Sequence, residues 1–366
     1  MASLSNEAPA GTVPLLAAEE SRGARALNIG RGIVVESVAF VLLTVLLPLG
    51  LLVGGLVDLG LWLRTRKPWM AVRLVLMGWW FLLGEVRGWL GLSLAWLIAG
   101  GPGRDTPRRR RHVWYMQRTW MQGHLLGIKT IFGLRFEVEG DELVEPGPIL
   151  VLIRHASIID NTLPAAFVSG PHGMFLRYVL KVELKALPTL DMGARWVPTA
   201  LVHRASQAPA AEIARVRTLA THLHGADEGA LIYPEGTRHT PAKLARAQEK
   251  IRKGDPQTAD LADRLHHLLP PRLGGVLALL DESTEADVVV FGHVGLDGFE
   301  KVSDIWSGKL NKTTVRIRFW RHPRASVPDG ERERIAWLYG IWQELDDWIG
   351  EQRARDEPTL EGGRRG

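Results

Sequence analysis

The sequence predicts a three-layer α/β domain preceded by N-terminal membrane helices. Two patterns lead to this prediction: a long apolar stretch near the start of the chain, and an alternation of strand-like and helix-like segments from residue 134 onward. Such alternation is typical of a sheet covered by helices on both faces, with the functional residues at the ends of the strands.

Composition narrows the possible partners. The 366 residues are enough for one large domain with appendages, and the net charge of +5 suits an anionic partner, either nucleic acid or anionic lipid. Most of the 14 tryptophans lie before residue 121, beside apolar runs and arginines, as membrane interfaces favour. The absence of cysteine excludes a disulfide, a thiolate nucleophile and a thiolate metal site.

The first 103 residues divide into a mobile N-terminus, residues 1–28, and a membrane segment, residues 29–103. From Ser37 to Val57 there are 21 consecutive uncharged residues, which as a helix span about 30 Å, the thickness of a bilayer core. Pro48 would kink that helix without forbidding it. The run is too long, and starts too far from Met1, for a cleaved signal peptide.

A second apolar region covers residues 69–100 and allows two interpretations. Glu85 and Arg87 interrupt it, so it is either the second span of a helical hairpin with a costly central acid and base, or a re-entrant or interfacial segment. In a hairpin, the arginine-rich residues 103–111 would lie on the cytoplasmic side. The expected location is then a membrane, the plasma membrane in a bacterium, with the following domain in the cytoplasm.

Residues 104–133 are predicted to form a basic, amphipathic linker helix. Apolar side chains recur there at helical spacing: Trp114, Met121, Leu125, Ile128 and Phe132. That stripe fits a helix lying on an anionic membrane surface, and it fits equally a helix that packs on the core of the next domain.

Residues 134–350 are predicted to form the α/β domain, and residues 351–366 a disordered tail. Six segments have strand character: RFEVEG, PILVLI, MFLRYVL, GALIYP, ADVVVFGHVGL and TTVRIRFW. Residues 210–225 and 241–253 between them are predicted helices, and a C-terminal apolar stripe near residues 335–349 indicates a packing helix.

The stretch RHASIIDNTLP places His155 and Asp160 five residues apart, directly after the apolar run at 148–153. A continuous helix would turn these side chains about 140° away from each other. A turn between a strand ending at Arg154 and a helix starting near Asp160 can instead bring carboxylate and imidazole together. That pairing holds a neutral histidine in the tautomer that accepts a proton.

A second stretch, LIYPEGTRHTP at residues 231–241, is a strand that enters a turn. Gly236 allows close approach of the backbone to a ligand, and Arg238 beside exposed amides makes a natural phosphate site. Taken alone, PEGTR could be a surface turn with a salt bridge. HxxxxD alone could arise by chance in a chain with 12 histidines. Both motifs in this order, about 75 residues apart and each after an apolar strand, are much more specific.

The pair resembles the motifs of the glycerolipid acyltransferase family, over roughly residues 112–350. The resemblance implies a mixed central sheet, with His155 and Asp160 as the catalytic pair. The block at residues 180–204 resembles the family's middle motif and implies that Lys181, Glu183 and Arg204 lie near the acyl acceptor. The implied acceptor and phosphate-binding residues are Glu235, Gly236, Thr237, Arg238, Arg204 and Lys181.

Three features distinguish this chain within that pattern. Arg154 stands where the family often has asparagine, and VVVFGHVG (288–295) lacks the proline of the family's late block. The insert that ends in LLPPRLGG (268–275) resembles the branch with the larger eukaryotic lysophospholipid acyltransferases.

The resemblance implies a membrane-bound enzyme that moves a fatty acyl group from a thioester of coenzyme A or acyl carrier protein to lysophosphatidic acid, giving phosphatidic acid. His155 would be the general base and Asp160 its orienting partner, without metal or cofactor. Other lysophospholipids, lysophosphatidylinositol among them, or glycerol-3-phosphate remain alternative acceptors. Membrane lipids are expected partners, and nucleic acid is not.

Rival functions explain less of the sequence. A phospholipase or phosphatase would need a GxSxG elbow or a metal cluster, and the chain shows neither pattern. A non-catalytic, basic membrane-surface adaptor or a nucleic-acid binder would leave both motifs unexplained. Ser157 is a weak candidate nucleophile, and His239 a weak candidate phosphate ligand. The other histidines without a carboxylate at a telling spacing are predicted to be structural or solvated: His222, His224, His266, His267 and His293.

Overall fold

A computed structural model describes residues 21–98, 107–194, 197–202, 208–299 and 301–356. The predicted phosphate-binding residue Arg204 lies outside the described residues, as do residues 1–20 and 357–366, which the sequence predicts to be mobile.

Ten α-helices lie in the described part of the chain. They are α1 Arg22–Thr65, α2 Ala71–Ile98, α3 Pro107–Phe132, α4 Gly170–His172, α5 Pro188–Gly193, α6 Pro209–Arg217, α7 Pro241–Gly254, α8 Pro256–Asp263, α9 Leu273–Glu282 and α10 Glu331–Asp356. Two of the predicted limits shift: α1 begins before residue 29, and α10 continues six residues beyond 350 because Gln352 remains buried against the domain.

Seven strands form one mixed sheet in the order β1-β7-β6-β2-β5-β3-β4. They are β1 Arg135–Glu139, β2 Ile149–Ile153, β3 Phe175–Lys181, β4 Thr199–Val202, β5 Glu228–Ile232, β6 Asp287–Val294 and β7 Thr314–His322. Only the β6–β7 pairing is antiparallel, so β6, β2, β5, β3 and β4 all end at the same edge. This confirms the α/β class and the mixed sheet.

The sheet separates two hydrophobic cores because successive strand residues point to opposite faces. In β2, Leu150 and Leu152 belong to the core formed with α9 and α10, whereas Ile149, Val151 and Ile153 belong to the core formed with α3. All five residues are at most 1% exposed. A strand apolar on both faces is what a central position in such a sheet requires.

Helices α1 and α2 are both long and apolar enough to cross a membrane by length and composition. They pack against each other as a hairpin. Asp58 of α1 fixes the turn: its carboxylate accepts hydrogen bonds from the backbone N–H groups of Met70, Ala71 and Val72 at 2.9–3.0 Å. A carboxylate at a helix N-terminus satisfies orphan amides and complements the helix dipole.

Glu85, the acid in the middle of α2, does not face lipid. It is fully buried, and its Oε1 lies 3.2 Å from Trp120 Nε1 and 3.1 Å from His124 Nε2, both on α3. Helix α2 is continuous through this point. The charge that interrupts the apolar pattern is therefore a contact with the next helix.

Helix α3 lies between α2 and the sheet. Its residues Leu125, Ile128 and Phe132 are at most 5% exposed and join the core on the α3 side of the sheet. Of the two interpretations of this apolar stripe, the structure shows packing on the domain core.

Candidate active site

The HxxxxD motif forms a compact loop at the carboxyl end of β2. His155 follows the strand by two residues, and Asp160 begins a short 3-10 helix, Asp160–Thr162. The His155 Nδ1 atom lies 3.3 Å from both carboxylate oxygens of Asp160, and both side chains are buried. The turn between them therefore brings the ring and the carboxylate together.

Asp160 is held in place by the loop's own backbone. Its Oδ2 accepts hydrogen bonds from the N–H groups of Ala156 at 2.7 Å and Ser157 at 2.8 Å. Burial alone would raise the pKa of Asp160, but the hydrogen bond and charge of His155 and the Ser157 amide lower it below its usual value. Asp160 is therefore ionised at neutral pH and fixes Nδ1 of His155 as the protonated nitrogen.

With Nδ1 facing Asp160, the other ring nitrogen of His155 can accept a proton. Its Nε2 has no hydrogen-bond partner among the described residues. The ring packs against Tyr233, with centroids 4.6 Å apart. Ser157 is fully buried, and its hydroxyl oxygen accepts the Ile159 N–H, so it is poorly placed to attack a substrate.

The PEGTR turn, residues 234–238, meets the histidine because β5 lies beside β2 and ends at the same edge. Glu235 joins three segments: its Oε1 accepts the His155 N–H at 2.7 Å and its Oε2 accepts the Leu269 N–H at 3.0 Å. The backbone N–H of His239 in turn donates to the carbonyl of His155. These hydrogen bonds fix the position of the PEGTR turn relative to the HxxxxD loop.

Glu235, one of the predicted phosphate-binding residues, is buried beside the HxxxxD loop. Its side chain is 2% exposed and both oxygens are occupied, so it braces the backbone and does not face an acceptor phosphate. Burial raises the pKa of Glu235 to about 8, against the two backbone hydrogen bonds that lower it. A buried carboxyl satisfied by two amides is a structural support.

Four other predicted phosphate-binding residues are partly solvent-accessible: Lys181, Gly236, Thr237 and Arg238. Gly236 adopts φ of +63°, a conformation that favours glycine, and Thr237 and Arg238 follow it. Lys181 ends β3, whose carboxyl end lies at the same edge as the two motifs. These positions are compatible with a shared anion site above the sheet.

His293, predicted to be structural or solvated, lies close to Asp160 on the interior side of the HxxxxD loop. Its Nε2 is 3.2 Å from the Arg154 carbonyl and 3.7 Å from Asp160 Oδ2. Burial lowers the pKa of His293 to about 4, so the ring is neutral, and two acceptors on one side place its hydrogen on Nε2. Its sequence position, 133 residues beyond Asp160, gave no local sign of this contact.

Arg154 is buried and paired with an acid from a distant loop. Its guanidinium binds the Asp297 carboxylate and donates to the His293 carbonyl at 2.5 Å. Asp297 also accepts a hydrogen bond from Arg353 of α10 at 2.8 Å. Burial would raise the pKa of Asp297, but Arg154 and Arg353 together hold it well below the usual value. The C-terminal helix is thereby connected to the HxxxxD loop.

Comparison with known proteins gives the class of the domain. A family model described as acyltransferase matches residues 135–262, from β1 through most of α8, and so includes both motifs. The fold and this match define an acyltransferase domain.

Two known proteins are similar to this chain. Lysocardiolipin acyltransferase 1 of Mus musculus is 20% identical over 278 residues, covering 73% of this chain and 67% of that protein. The solved 1-acyl-sn-glycerophosphate (LPA) acyltransferase, PlsC, of Thermotoga maritima is 16% identical with a TM-score of 0.46, covering 76% of this chain and 98% of that one. The family match and the mouse relative support a glycerolipid acyltransferase family for this domain.

Proposed function

We propose that this protein transfers a fatty acyl group from an acyl thioester to the free hydroxyl of lysophosphatidic acid, giving phosphatidic acid. The observation that carries the proposal is the orientation of His155. Its Nδ1 faces the Asp160 carboxylate at 3.3 Å, which leaves Nε2 for the attacking hydroxyl.

The proposed reaction needs a base because an alcohol has a pKa far above 7. As the hydroxyl oxygen attacks the thioester carbonyl, Nε2 of His155 takes its proton. Asp160 stabilises the imidazolium that forms, since its carboxylate stays ionised and fixed by two backbone amides. When the C–S bond breaks, the imidazolium returns the proton to the leaving thiolate. No covalent acyl-enzyme is needed.

The acceptor phosphate is proposed to bind at the PEGTR turn. Arg238 is partly exposed there, and its side chain has no hydrogen bond or ion pair with another described residue. Together with Lys181 and Arg204 it would fix the phosphate, and so hold the free hydroxyl against His155. Thr237 and the backbone beside Gly236 would complete this site.

The hairpin of α1 and α2 supports a location at the membrane. Its outward side chains are aliphatic and exposed, such as Val34, Val45 and Leu56 at 61%, 71% and 62%. Both substrates carry long acyl chains, which dissolve in a bilayer and not in water. A domain resting on the cytoplasmic leaflet would meet them there.

The test is an acyltransfer assay on the purified protein in detergent. Oleoyl-coenzyme A would be supplied with lysophosphatidic acid and free thiol followed; the chain has no cysteine to add background. We expect thiol release that falls about a thousandfold or more in His155→Ala. The matched control is His224→Ala, an exposed histidine that pairs with Glu285 and precedes β5, at the opposite end of that strand from the PEGTR turn.

Other acceptors form the second arm of the assay. Release only with lysocardiolipin, the acceptor named in the mouse relative, or with lysophosphatidylinositol or glycerol-3-phosphate would keep the mechanism and change the substrate. Acyl carrier protein thioesters would test the alternative donor. Activity unchanged in His155→Ala would overturn the mechanism, and inactivity with every pair would favour a non-catalytic membrane-surface role.

A further inference from the structure

We propose that Arg272, on the loop before α9, is a second phosphate-binding cation of the PEGTR turn and acts with Arg238. The ligand is a phosphate group of one of the two substrates. The inference rests on the proposed acyltransfer, and it adds a residue that neither motif contains.

The loop that carries Arg272 is fixed to the motif by backbone contacts. The Arg272 N–H donates to the Pro234 carbonyl at 2.8 Å, and the Leu269 N–H donates to Glu235 Oε2 at 3.0 Å. The indole of Trp342, on α10, donates to the Leu269 carbonyl at 3.0 Å. Arg272 therefore has a defined position beside the turn.

The side chain of Arg272 lies directly over Gly236. A Cβ atom built on Gly236 would lie 2.6 Å from Arg272 Nε and 2.9 Å from its Cζ. A side chain at residue 236 would thus displace the guanidinium. The glycine serves two purposes: it allows the positive φ and leaves room for an arginine against the bare backbone.

The charges at this turn are unbalanced. Neither Arg272 nor Arg238 has a side-chain hydrogen bond or ion pair with another described residue. The neighbouring acids are engaged elsewhere: Glu235 with two backbone amides, and Asp297 with Arg154 and Arg353. Two cations sharing one turn without a counter-ion favour an anionic ligand, and guanidinium groups bind phosphate in a bidentate manner.

The position of Arg272 also suits an amphiphile. It precedes α9, which packs in the core with α10, whereas Leu163, just after Asp160, lies in the core with α3. His155 and Asp160 therefore lie next to the core on the α3 side of the sheet, which is also the side of the helical hairpin. Arg272 lies next to the core on the opposite side, with α9 and α10. An acyl chain directed toward α1–α3 would leave its charged end at Arg238 and Arg272.

The shared chemistry is a phosphate ester, which has two sources: the headgroup of the acceptor or the phosphates of coenzyme A. Steady-state kinetics distinguish them. In Arg272→Ala we expect the KM for one substrate to rise about tenfold or more, with kcat within about threefold, since a charge-assisted contact is lost. A raised KM for lysophosphatidic acid identifies the headgroup, and a raised KM for oleoyl-coenzyme A identifies the donor.

Two further variants separate binding from structure. Arg272→Lys keeps the charge and should recover part of the affinity. Arg252→Ala removes a cation that Glu249 and Asp263 already neutralise, and should leave both KM values unchanged. Because Arg272 is exposed and contributes its backbone N–H in any variant, the melting temperature should stay within about 2 °C of wild type.

A binding measurement keeps this inference independent of turnover. Equilibrium dialysis of lysophosphatidic acid and coenzyme A against His155→Ala, with and without Arg272→Ala, should show weaker binding of one ligand. If both affinities and both KM values are unchanged while His155-dependent activity persists, Arg272 is not a phosphate ligand and the proposed function stands. If wild type lacks activity but Arg272→Ala weakens binding, the anion site is real and the proposed reaction is wrong.

Discussion

Arg154 and His293 hold each other through reciprocal hydrogen bonds. The Arg154 guanidinium donates to the His293 carbonyl at 2.5 Å, and the His293 ring Nε2 donates to the Arg154 carbonyl at 3.2 Å. Arg154 stands where the acyltransferase motif often has asparagine, and His293 belongs to the block at 288–295 that lacks the proline expected from the resemblance. Their contact shows that the arginine before His155 and the 288–295 block in β6 form one structural unit.

His293→Ala should lower kcat about tenfold while KM for both substrates changes less than about twofold. The neutral ring lies 3.7 Å from Asp160 Oδ2 and supports the carboxylate from behind, without reaching the side of His155 where a substrate would bind. His293→Gln, which can place an amide N–H near the same point, should retain more activity. A melting temperature that falls in both variants with equal kcat losses would indicate packing alone.

Asp297→Asn should destabilise the protein by about 2 kcal/mol at pH 7, because it leaves the fully buried Arg154 without its anionic partner. Asp297 is 29% exposed, so the loss is smaller than for a fully buried pair. Chemical denaturation in detergent micelles measures it. Asp356→Asn is the control, since Asp356 of α10 forms a more exposed ion pair with Arg316 of β7.

The difference in stability between wild type and Asp297→Asn should depend on pH. Arg154 and Arg353 hold the pKa of Asp297 below its unfolded value of about 3.9, so its ionised form stabilises the fold above that pH. Below about pH 4 the carboxylate takes up a proton in the unfolded chain but stays ionised in the folded protein, so its contribution to stability falls progressively as the pH drops. The stability gap between wild type and Asp297→Asn should therefore stay constant above about pH 5 and narrow toward pH 3. A gap independent of pH would exclude the ion pair as its cause.

The variant Glu235→Gln tests whether the Glu235 side chain supports the backbone or binds the acceptor phosphate. The amide keeps one acceptor oxygen, but its NH2 group would face one of the two backbone N–H donors, which costs about 1–3 kcal/mol. Since that backbone belongs to His155, we expect lower stability and lower kcat with an unchanged KM for the acceptor. A raised KM at normal stability would restore the role in acceptor binding predicted from the motif.

The sequence predicted what local pattern determines. The apolar strand at 148–153 and the turn after it predicted that the side chains of His155 and Asp160 contact each other. The structure contains that contact. β4 lacked a separate signal because Thr199–Val202 is only four residues long, and the predicted helix from 210 ends at Arg217. The exposure of individual motif residues could not be predicted from the pattern.

Long-range contacts explain the rest. Glu235 was predicted to bind phosphate because it belongs to the motif, whereas two amides, one of them 34 residues away at Leu269, turn it inward. His293 and Arg272 come near the site only through the order of the strands and the path of the insert. Which residues become neighbours in this way depends on the topology of the sheet. The spacing of residues along the chain does not specify that topology.

Contacts near the two ends of α1 predict the orientation of the helical hairpin relative to the membrane. Near its start, Arg25 pairs with Asp191 of α5 at 2.8 Å, and just past the following turn Arg73 donates to Asn311 at 2.9 Å. Asp191 and Asn311 belong to the same α/β domain, so both ends of the helix lie against one body. A helix crossing a bilayer would place them on opposite sides, so we expect α1 to lie along one leaflet with its apolar face in the lipid.

Single-cysteine labelling tests this arrangement without background, because the chain has no native cysteine. Ser21→Cys and Lys67→Cys report the exposed ends of the helix, and Lys250→Cys on α7 reports the domain. With a membrane-impermeant maleimide on sealed vesicles of known orientation, all three should react from the same side. Labelling of Ser21→Cys and Lys67→Cys from opposite sides would show that α1 spans the bilayer, and that the Arg25–Asp191 contact does not form in the membrane.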